Sequence, residues 1–140
     1  GVGLIRCAAG LTTIKISGAL ILVHGLASIA AGIFSCDVGC GLHDPSTSQK
    51  LHNLAGLVMF LSLLVAGVLW VWIAWARWQR KVLAMVSLVC VVLSVALLPL
   101  MAQAIEQGGF GLYQRLNYGA QALWVFALAL TVLTRQRQSN

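Results

Sequence analysis

Four long, continuously apolar runs dominate this chain and limit it to one kind of fold. The runs cover residues 11–34, 51–76, 82–102 and 113–134. A helix needs about 20 apolar residues to cross the roughly 30 Å hydrocarbon core of a bilayer, and each run provides them. Each run is also about twice the length of a membrane-barrel strand and lacks the alternation of such strands. The sequence therefore predicts an all-α, polytopic transmembrane helix bundle of about four spans, forming a single domain over residues 1–140.

The composition excludes a soluble globular protein. Hydrophobic residues make up 60% of the 140 residues. Charged residues make up only 9%, against about 25% in an average soluble domain. The mean hydropathy is +0.92. A domain of this size cannot bury that much apolar surface, so a soluble enzyme, a disordered tail and a coiled coil are all excluded.

The charged residues predict the orientation of the chain in the membrane. Nine Lys and Arg residues against three acidic residues give a net charge of +6. Seven of these cations lie on the side that carries the RWQRK turn: Arg6, Lys15, Arg77, Arg80, Lys81, Arg135 and Arg137. Lys50 and Arg115 lie on the opposite side with all three acids. The positive-inside rule then predicts a multi-pass protein of the bacterial plasma membrane with a cytoplasmic C-terminus.

The position of these cations argues against a nucleic-acid partner and for membrane lipids. They sit at the ends of apolar runs and form no polar, phosphate-tracking surface. Four tryptophans crowd the cytoplasmic end of the second run: Trp70, Trp72, Trp75 and Trp78. Tryptophans in that place are typical of the aromatic belt that anchors a helix at the headgroup level.

Small and polar residues predict which helix faces pack together. Glycines recur at seven-residue spacing in the first run, at Gly18, Gly25 and Gly32, and such a stripe allows close helix approach. Polar residues form one stripe on the third run and one on the fourth, and these are expected to face inward because lipid cannot satisfy them. The two stripes are Ser87, Cys90, Ser94 and Met101, and Asn117, Gln121 and Trp124.

All three acids and two of the three histidines are expected on the extracytoplasmic side, where they form a candidate site. A loop of residues 36–44 leads to His52 at the start of the second apolar run, and Glu106 and Arg115 lie on the same side. Polar groups at the mouth of a bundle are a default site hypothesis. The candidate residues are Asp37, His43, His52, Glu106 and Arg115.

Several chemistries remain open for this site. Cys36 and Cys40 form a disulfide, act as free thiols, or bind zinc with His43 and with His52 or Asp44. The zinc spacing is not a strong signature, and an oxidising compartment disfavours thiolates, so we predict no metal and no other cofactor. The pair His24 and His52 lies at unequal depth for a bis-histidine haem, and we expect His24 to be hydrogen-bonded inside the bundle.

Two alternatives for the charged residues also remain open. Asp37 caps the turn beside the second helix, or pairs with Arg115, as Glu106 also can. A His beside an Asp can act as a general base toward Ser35 or Ser46, although no nucleophile elbow is present.

Three motifs together resemble a known family. These are Gly32-Ile33-Phe34-Ser35-Cys36-Asp37, then His52-Asn53-Leu54-Ala55, then Gly111-Leu112-Tyr113-Gln114-Arg115. They are similar to the G-x-F-P-C-D, H-x2-A and G-L-x-x-R patterns of the domain of unknown function 998 family of bacterial and archaeal membrane proteins. The resemblance implies that Cys36, Asp37, His52 and Arg115 are the positions that the family retains, and it implies no reaction.

The chain departs from the family pattern in two ways. Ser35 replaces the usual proline of the loop, and family members carry one or two further helices at the N-terminus. The chain starts with Gly1 and shows no cleavable signal peptide. We therefore expect an N-terminally incomplete bundle, with residues 1–10 forming a surface segment or the end of a missing helix.

The sequence favours one function and leaves one alternative. We expect an integral membrane protein without assigned catalysis, which binds lipid or a small amphiphile or serves as an accessory subunit with partner membrane subunits. The alternative is a membrane-embedded enzyme or redox protein that works through an extracytoplasmic Asp37, His52 and Arg115 site.

Overall fold

The computed structural model describes residues 1–7, 12–40, 44–107 and 109–139, and these residues form helices and no strands. The helices are α1 (Val2–Cys7), α2 (Thr12–Ile33), a 3-10 helix (Val38–Cys40), α3 (Thr47–Trp72), a π-helical segment (Ile73–Arg77), α4 (Lys81–Gln107) and α5 (Phe110–Ser139). The residues group into two compact units, residues 1–66 and 67–140, and the division falls within α3.

Four of the helical stretches are long and apolar enough to cross a membrane, which confirms the predicted fold class. They are Thr12–Ile33, Thr47–Arg77, Lys81–Ile105 and Phe110–Arg135. The second stretch begins four residues before the predicted run of 51–76. Hydropathy marks where a helix meets lipid, whereas the helix itself begins at its polar N-cap outside the apolar run.

In the first unit, α1 packs along the beginning of α2. Leu4 is buried, and a Cβ atom built on Gly18 would lie 2.7 Å from the Ile5 side chain and 3.0 Å from the Gly1 carbonyl oxygen. Only glycine permits this approach of the two helices. Among the described residues, nothing lies within 4 Å of a Cβ atom added at Gly25 or Gly32, so within that part of the chain the predicted glycine stripe packs at Gly18 alone.

In the second unit, a tight turn joins α3 to α4. The π-helical segment closes with a hydrogen bond of 2.9 Å from the Trp78 amide to the Ile73 carbonyl oxygen. The Arg80 amide then donates to the Ala74 carbonyl oxygen at 2.8 Å, while Gln79 adopts a left-handed conformation with φ of 53°. This bond spans six residues, one more than the bond of a Schellman helix ending, in keeping with the wider π-helical turn before it.

The antiparallel packing of α4 on α5 buries the two polar stripes, as the sequence predicted. The Asn117 side chain donates to the Ser94 carbonyl oxygen at 2.7 Å. The Trp124 indole donates to the Ser87 hydroxyl at 2.9 Å, which donates in turn to the Leu83 carbonyl oxygen at 2.8 Å. Met101, at the end of the α4 stripe, is only partly buried.

Candidate functional site

The structure places the predicted site residues in different parts of the chain. Asp37 and His52 belong to the first unit, while Arg115 is an exposed residue of α5 in the second unit. Glu106 lies in α4, and its side chain is outside what the structure describes, as is the whole of His43. Asp37 and His52 are therefore the candidate residues whose side chains the structure describes within one unit.

Asp37 binds the N-terminal end of α3. One carboxylate oxygen, Oδ2, accepts the Ser46 amide at 2.9 Å, and the other, Oδ1, accepts the Ser46 hydroxyl at 2.6 Å. These two hydrogen bonds hold the pKa of Asp37 below its ordinary value. A carboxylate at this position also faces the positive end of the helix dipole, so Asp37 is suited to holding the helix start as an anion.

Ser46 and Gln49 complete this arrangement as the N-cap of α3. The Ser46 hydroxyl oxygen accepts the Gln49 amide at 3.1 Å. The buried Gln49 side chain in turn accepts the Asp37 amide at 3.1 Å through Oε1. Asp37 thus accepts hydrogen bonds from the first turn of α3 and also donates one to it. The Ser48 hydroxyl donates a further bond of 2.9 Å to the Ser35 carbonyl oxygen.

Sequence reasoning missed Ser46 and Gln49 as parts of this arrangement. The signal was present, because Ser-x-x-Gln before an apolar run is the pattern of a capping box. In this chain the glutamine bonds the amide of Asp37, whereas in the usual box it bonds the amide of the N-cap residue itself.

His52 binds the C-terminal end of α2. Its Nδ1 lies 2.8 Å from the Phe34 carbonyl oxygen and 3.0 Å from the Ala31 carbonyl oxygen. Carbonyl oxygens only accept, so Nδ1 carries the proton and donates to both. The last carbonyls of a helix lack partners within it, and His52 supplies the donor for two of them.

Cys36 and Cys40 are joined by a disulfide in the structure, with their Cα atoms 5.3 Å apart. The bridge closes a short loop around Asp37, and the Cys40 amide donates to the Asp37 carbonyl oxygen at 2.9 Å. Cys40 itself is left-handed, with φ of 51°. The loop thus fixes the backbone of the residue whose carboxylate holds α3.

The metal-ligating side chains that the structure describes do not gather into a metal site. Among the described residues, no three His, Cys, Asp or Glu side chains form a group that could hold a metal ion. His24 lies on α2 with Nδ1 at 3.2 Å from the Met59 carbonyl oxygen of α3. As predicted, His24 is hydrogen-bonded between two helices.

Fold and geometry together define a class of polytopic α-helical membrane protein in which a disulfide-closed loop holds the ends of two spanning helices. The chain belongs to the family described as protein of unknown function (DUF998), whose model matches residues 1–131. This confirms the family resemblance found in the three motifs. Comparison with curated proteins and with solved structures gives no match.

Proposed function

We propose that this chain is a non-catalytic integral membrane protein that serves as an accessory subunit of a larger membrane assembly, in contact with lipid and with a partner's transmembrane helix. One observation carries the proposal. The polar atoms of Asp37 and the Nδ1 of His52, the side chains best suited to chemistry at the outer mouth, bind the ends of α2 and α3. Side chains used in this way stabilise the loop, which leaves the helix surfaces to carry the function.

The exposed apolar surface of α2 supports the proposal that a transmembrane helix of a partner packs against it. Only 11% of its most apolar stretch is buried, and Leu26, Ile29 and Ile33 are each more than 60% exposed. A Cβ atom added at Gly25 or Gly32 would have none of the described residues within 4 Å. Glycine at a lipid-facing position adds little, whereas at a helix–helix interface it permits close backbone contact.

A matched pair of glycine substitutions tests this proposal. Gly25→Leu should reduce association with the partner, measured by the mass of the complex extracted in mild detergent. Gly119→Leu is the control, because it makes the same change on α5, outside the proposed α2 interface, and an added Cβ there also meets none of the described residues within 4 Å. It should leave the complex intact. A wild-type chain that is extracted alone in every mild detergent, or equal effects of the two substitutions, would contradict the proposal.

The alternative is an extracytoplasmic active site of Asp37, His52 and Arg115. It predicts bound metal or haem, or a turnover that disappears in His52→Ala while the protein remains folded. Metal analysis and the visible absorption spectrum of the purified chain separate the two functions directly. A stoichiometric metal or a haem band would favour the alternative.

We further propose that the protein lies in a bacterial plasma membrane with its C-terminus in the cytoplasm. Seven of the nine cations fall on the side of the RWQRK turn, which supports this orientation. The same orientation puts Cys36 and Cys40 in an oxidising compartment, where a disulfide persists.

A further inference from the structure

A cluster of cations and tryptophans lies at one end of the second unit, where α3 ends, α4 begins and α5 ends. We call it the basic tryptophan cluster. We propose that it binds the phosphate headgroup of an anionic phospholipid, a role that goes beyond the accessory function and does not depend on it. Its members are Trp72, Trp75, Trp78, Arg77, Lys81 and Arg135.

Each cation of the cluster lies over the face of a tryptophan. The guanidinium carbon of Arg77 is 5.3 Å from the centre of the Trp72 ring, and Lys81 Nζ is 5.8 Å from that of Trp75. Arg135 on α5 approaches the centre of the Trp78 ring to 4.2 Å. These contacts lie within the range of cation–π attraction, and they position three charges without using them in ion pairs.

Trp78 is itself held in place by the core of the unit. Its ring meets that of Trp70 edge to face, with the ring centres 4.8 Å apart, and Trp70 is fully buried. The Trp78 ring on which Arg135 lies is therefore held in a fixed position. A preformed cation position lowers the conformational entropy lost when a headgroup binds.

No acidic side chain neutralises this end of the unit. The three acids of the chain are Asp37, Asp44 and Glu106, so none occurs in residues 67–105 or after 106. Glu106 is 25 residues along α4 from Lys81, about 37 Å away at the helical rise of 1.5 Å per residue. Within the described part of the chain, Arg77, Lys81 and Arg135 donate to no carboxylate, and their N–H groups remain for an external anion.

The surroundings favour a lipid as the source of that anion. Trp72 and Trp75 are 48% and 53% exposed, and tryptophans with one apolar and one polar edge are typical of the headgroup level. Val68, Val82 and Met85 are exposed on the adjoining turns of α3 and α4. A phospholipid can place its phosphate against the cations and its acyl chains against these apolar residues, whereas a soluble anion gains only the first contact.

Lipid titration of the purified full chain tests the proposal. Phosphatidylglycerol and phosphatidylcholine with identical acyl chains are added to the protein in a zwitterionic detergent, and bound lipids are counted by native mass spectrometry. Quenching of tryptophan fluorescence by brominated lipids gives a second readout. We expect preferential binding of phosphatidylglycerol, and quenching by its brominated form at lower concentration.

Paired double variants locate the site. Arg77→Gln with Arg135→Gln should weaken phosphatidylglycerol binding about 30-fold, since each cation near a membrane surface adds about 1 kcal/mol. Lys50→Gln with Arg115→Gln removes the same charge from exposed positions elsewhere and should leave binding unchanged. If the glutamine variant does not fold, Arg77→Lys with Arg135→Lys should fold and retain a preference for the anionic lipid.

Three results would overturn the proposal. The two lipids bind equally well to the wild-type chain, or the two glutamine variants lose affinity equally, or the lysine variant binds both lipids alike. An excess of inorganic phosphate that displaces phosphatidylglycerol as effectively as added phosphatidylglycerol would identify a soluble anion as the ligand and would also contradict the lipid assignment.

Discussion

Asp37 links the loop to α3 through a charge, and its substitution should therefore show a pH dependence. Hydrogen bonds from the Ser46 hydroxyl and amide lower the pKa of Asp37 from its ordinary 3.8. The unfolded chain then takes up this proton at a higher pH than the folded chain does. The stabilisation by Asp37 is fully present above the ordinary pKa and disappears as the pH falls through the lowered, folded-state value.

We predict that Asp37→Asn lowers the thermal stability at neutral pH and removes part of the acid sensitivity. The melting temperature of the wild-type chain in detergent should fall more steeply below about pH 4 than that of the variant. Asp44→Asn is the matched control, because Asp44 is exposed and asparagine tolerates its left-handed φ of 49°. Parallel pH curves for the wild-type chain and Asp37→Asn would show that the carboxylate does not hold α3.

His52 should likewise matter for stability through the end of α2. In His52→Ala, the carbonyl oxygens of Ala31 and Phe34 lose their donor, and we expect a cost of about 1 kcal/mol in the free energy of unfolding. Asn53→Ala, at an exposed neighbouring position, should cost much less. Equal effects in denaturant unfolding would refute the capping role, whereas a loss of activity at unchanged stability would favour the active-site alternative.

At the scale of the elements, two polar residues one turn apart on α5 should respond in opposite ways to the same substitution. Asn117 donates to the Ser94 carbonyl oxygen, but the Gln121 side-chain nitrogen is buried without a partner among the described residues. A buried donor with no acceptor costs free energy, and an apolar residue of similar shape removes that cost.

We therefore predict that Asn117→Leu destabilises the α4–α5 pair by about 1 kcal/mol, while Gln121→Leu is neutral or stabilising. Each variant serves as the control of the other, because both replace a buried polar residue of α5 by leucine and the two positions lie one turn apart. Reversible unfolding in mixed micelles measures both. A Gln121→Leu variant as unstable as Asn117→Leu would mean that Gln121 has a bonding partner in the folded protein.

The elements differ in how far the sequence predicts them, for physical reasons. The polar stripes on α4 and α5 were predictable because a polar side chain in lipid must face another helix, and helical spacing identifies that face. The glycine stripe on α2 was only partly informative, because glycine permits close contact without supplying the neighbour. Gly18 meets α1, whereas Gly25 and Gly32 meet no neighbour among the residues that the structure describes.

At the scale of the whole molecule, the candidate site was harder to predict than the fold. Apolar run length alone predicts spanning helices, and it located the four helices of the described residues that are long and apolar enough to cross a membrane. The roles of Asp37 and His52 depend on contacts across 9 and 18 residues of chain. Side-chain type does not reveal such contacts, so the sequence left both a catalytic and a structural role open for these residues.

The remaining whole-molecule question is orientation, and it has a decisive measurement. A reporter that works only in the cytoplasm should be active when it is fused after Asn140, and one that works only outside should be inactive. The reason is that the side with seven cations is expected to be retained in the cytoplasm. In intact cells, a membrane-impermeant thiol reagent should label Cys36 and Cys40 only after reduction of their disulfide, and should not label the buried Cys90. Removal of positive charge supplies the control, since the orientation follows the balance of Lys and Arg between the two sides. The triple variant Arg77→Gln, Arg80→Gln and Lys81→Gln should weaken the cytoplasmic preference of the C-terminus. A reporter active only outside the cytoplasm would reverse the orientation, remove the oxidising environment from the loop, and place the basic tryptophan cluster in the outer leaflet.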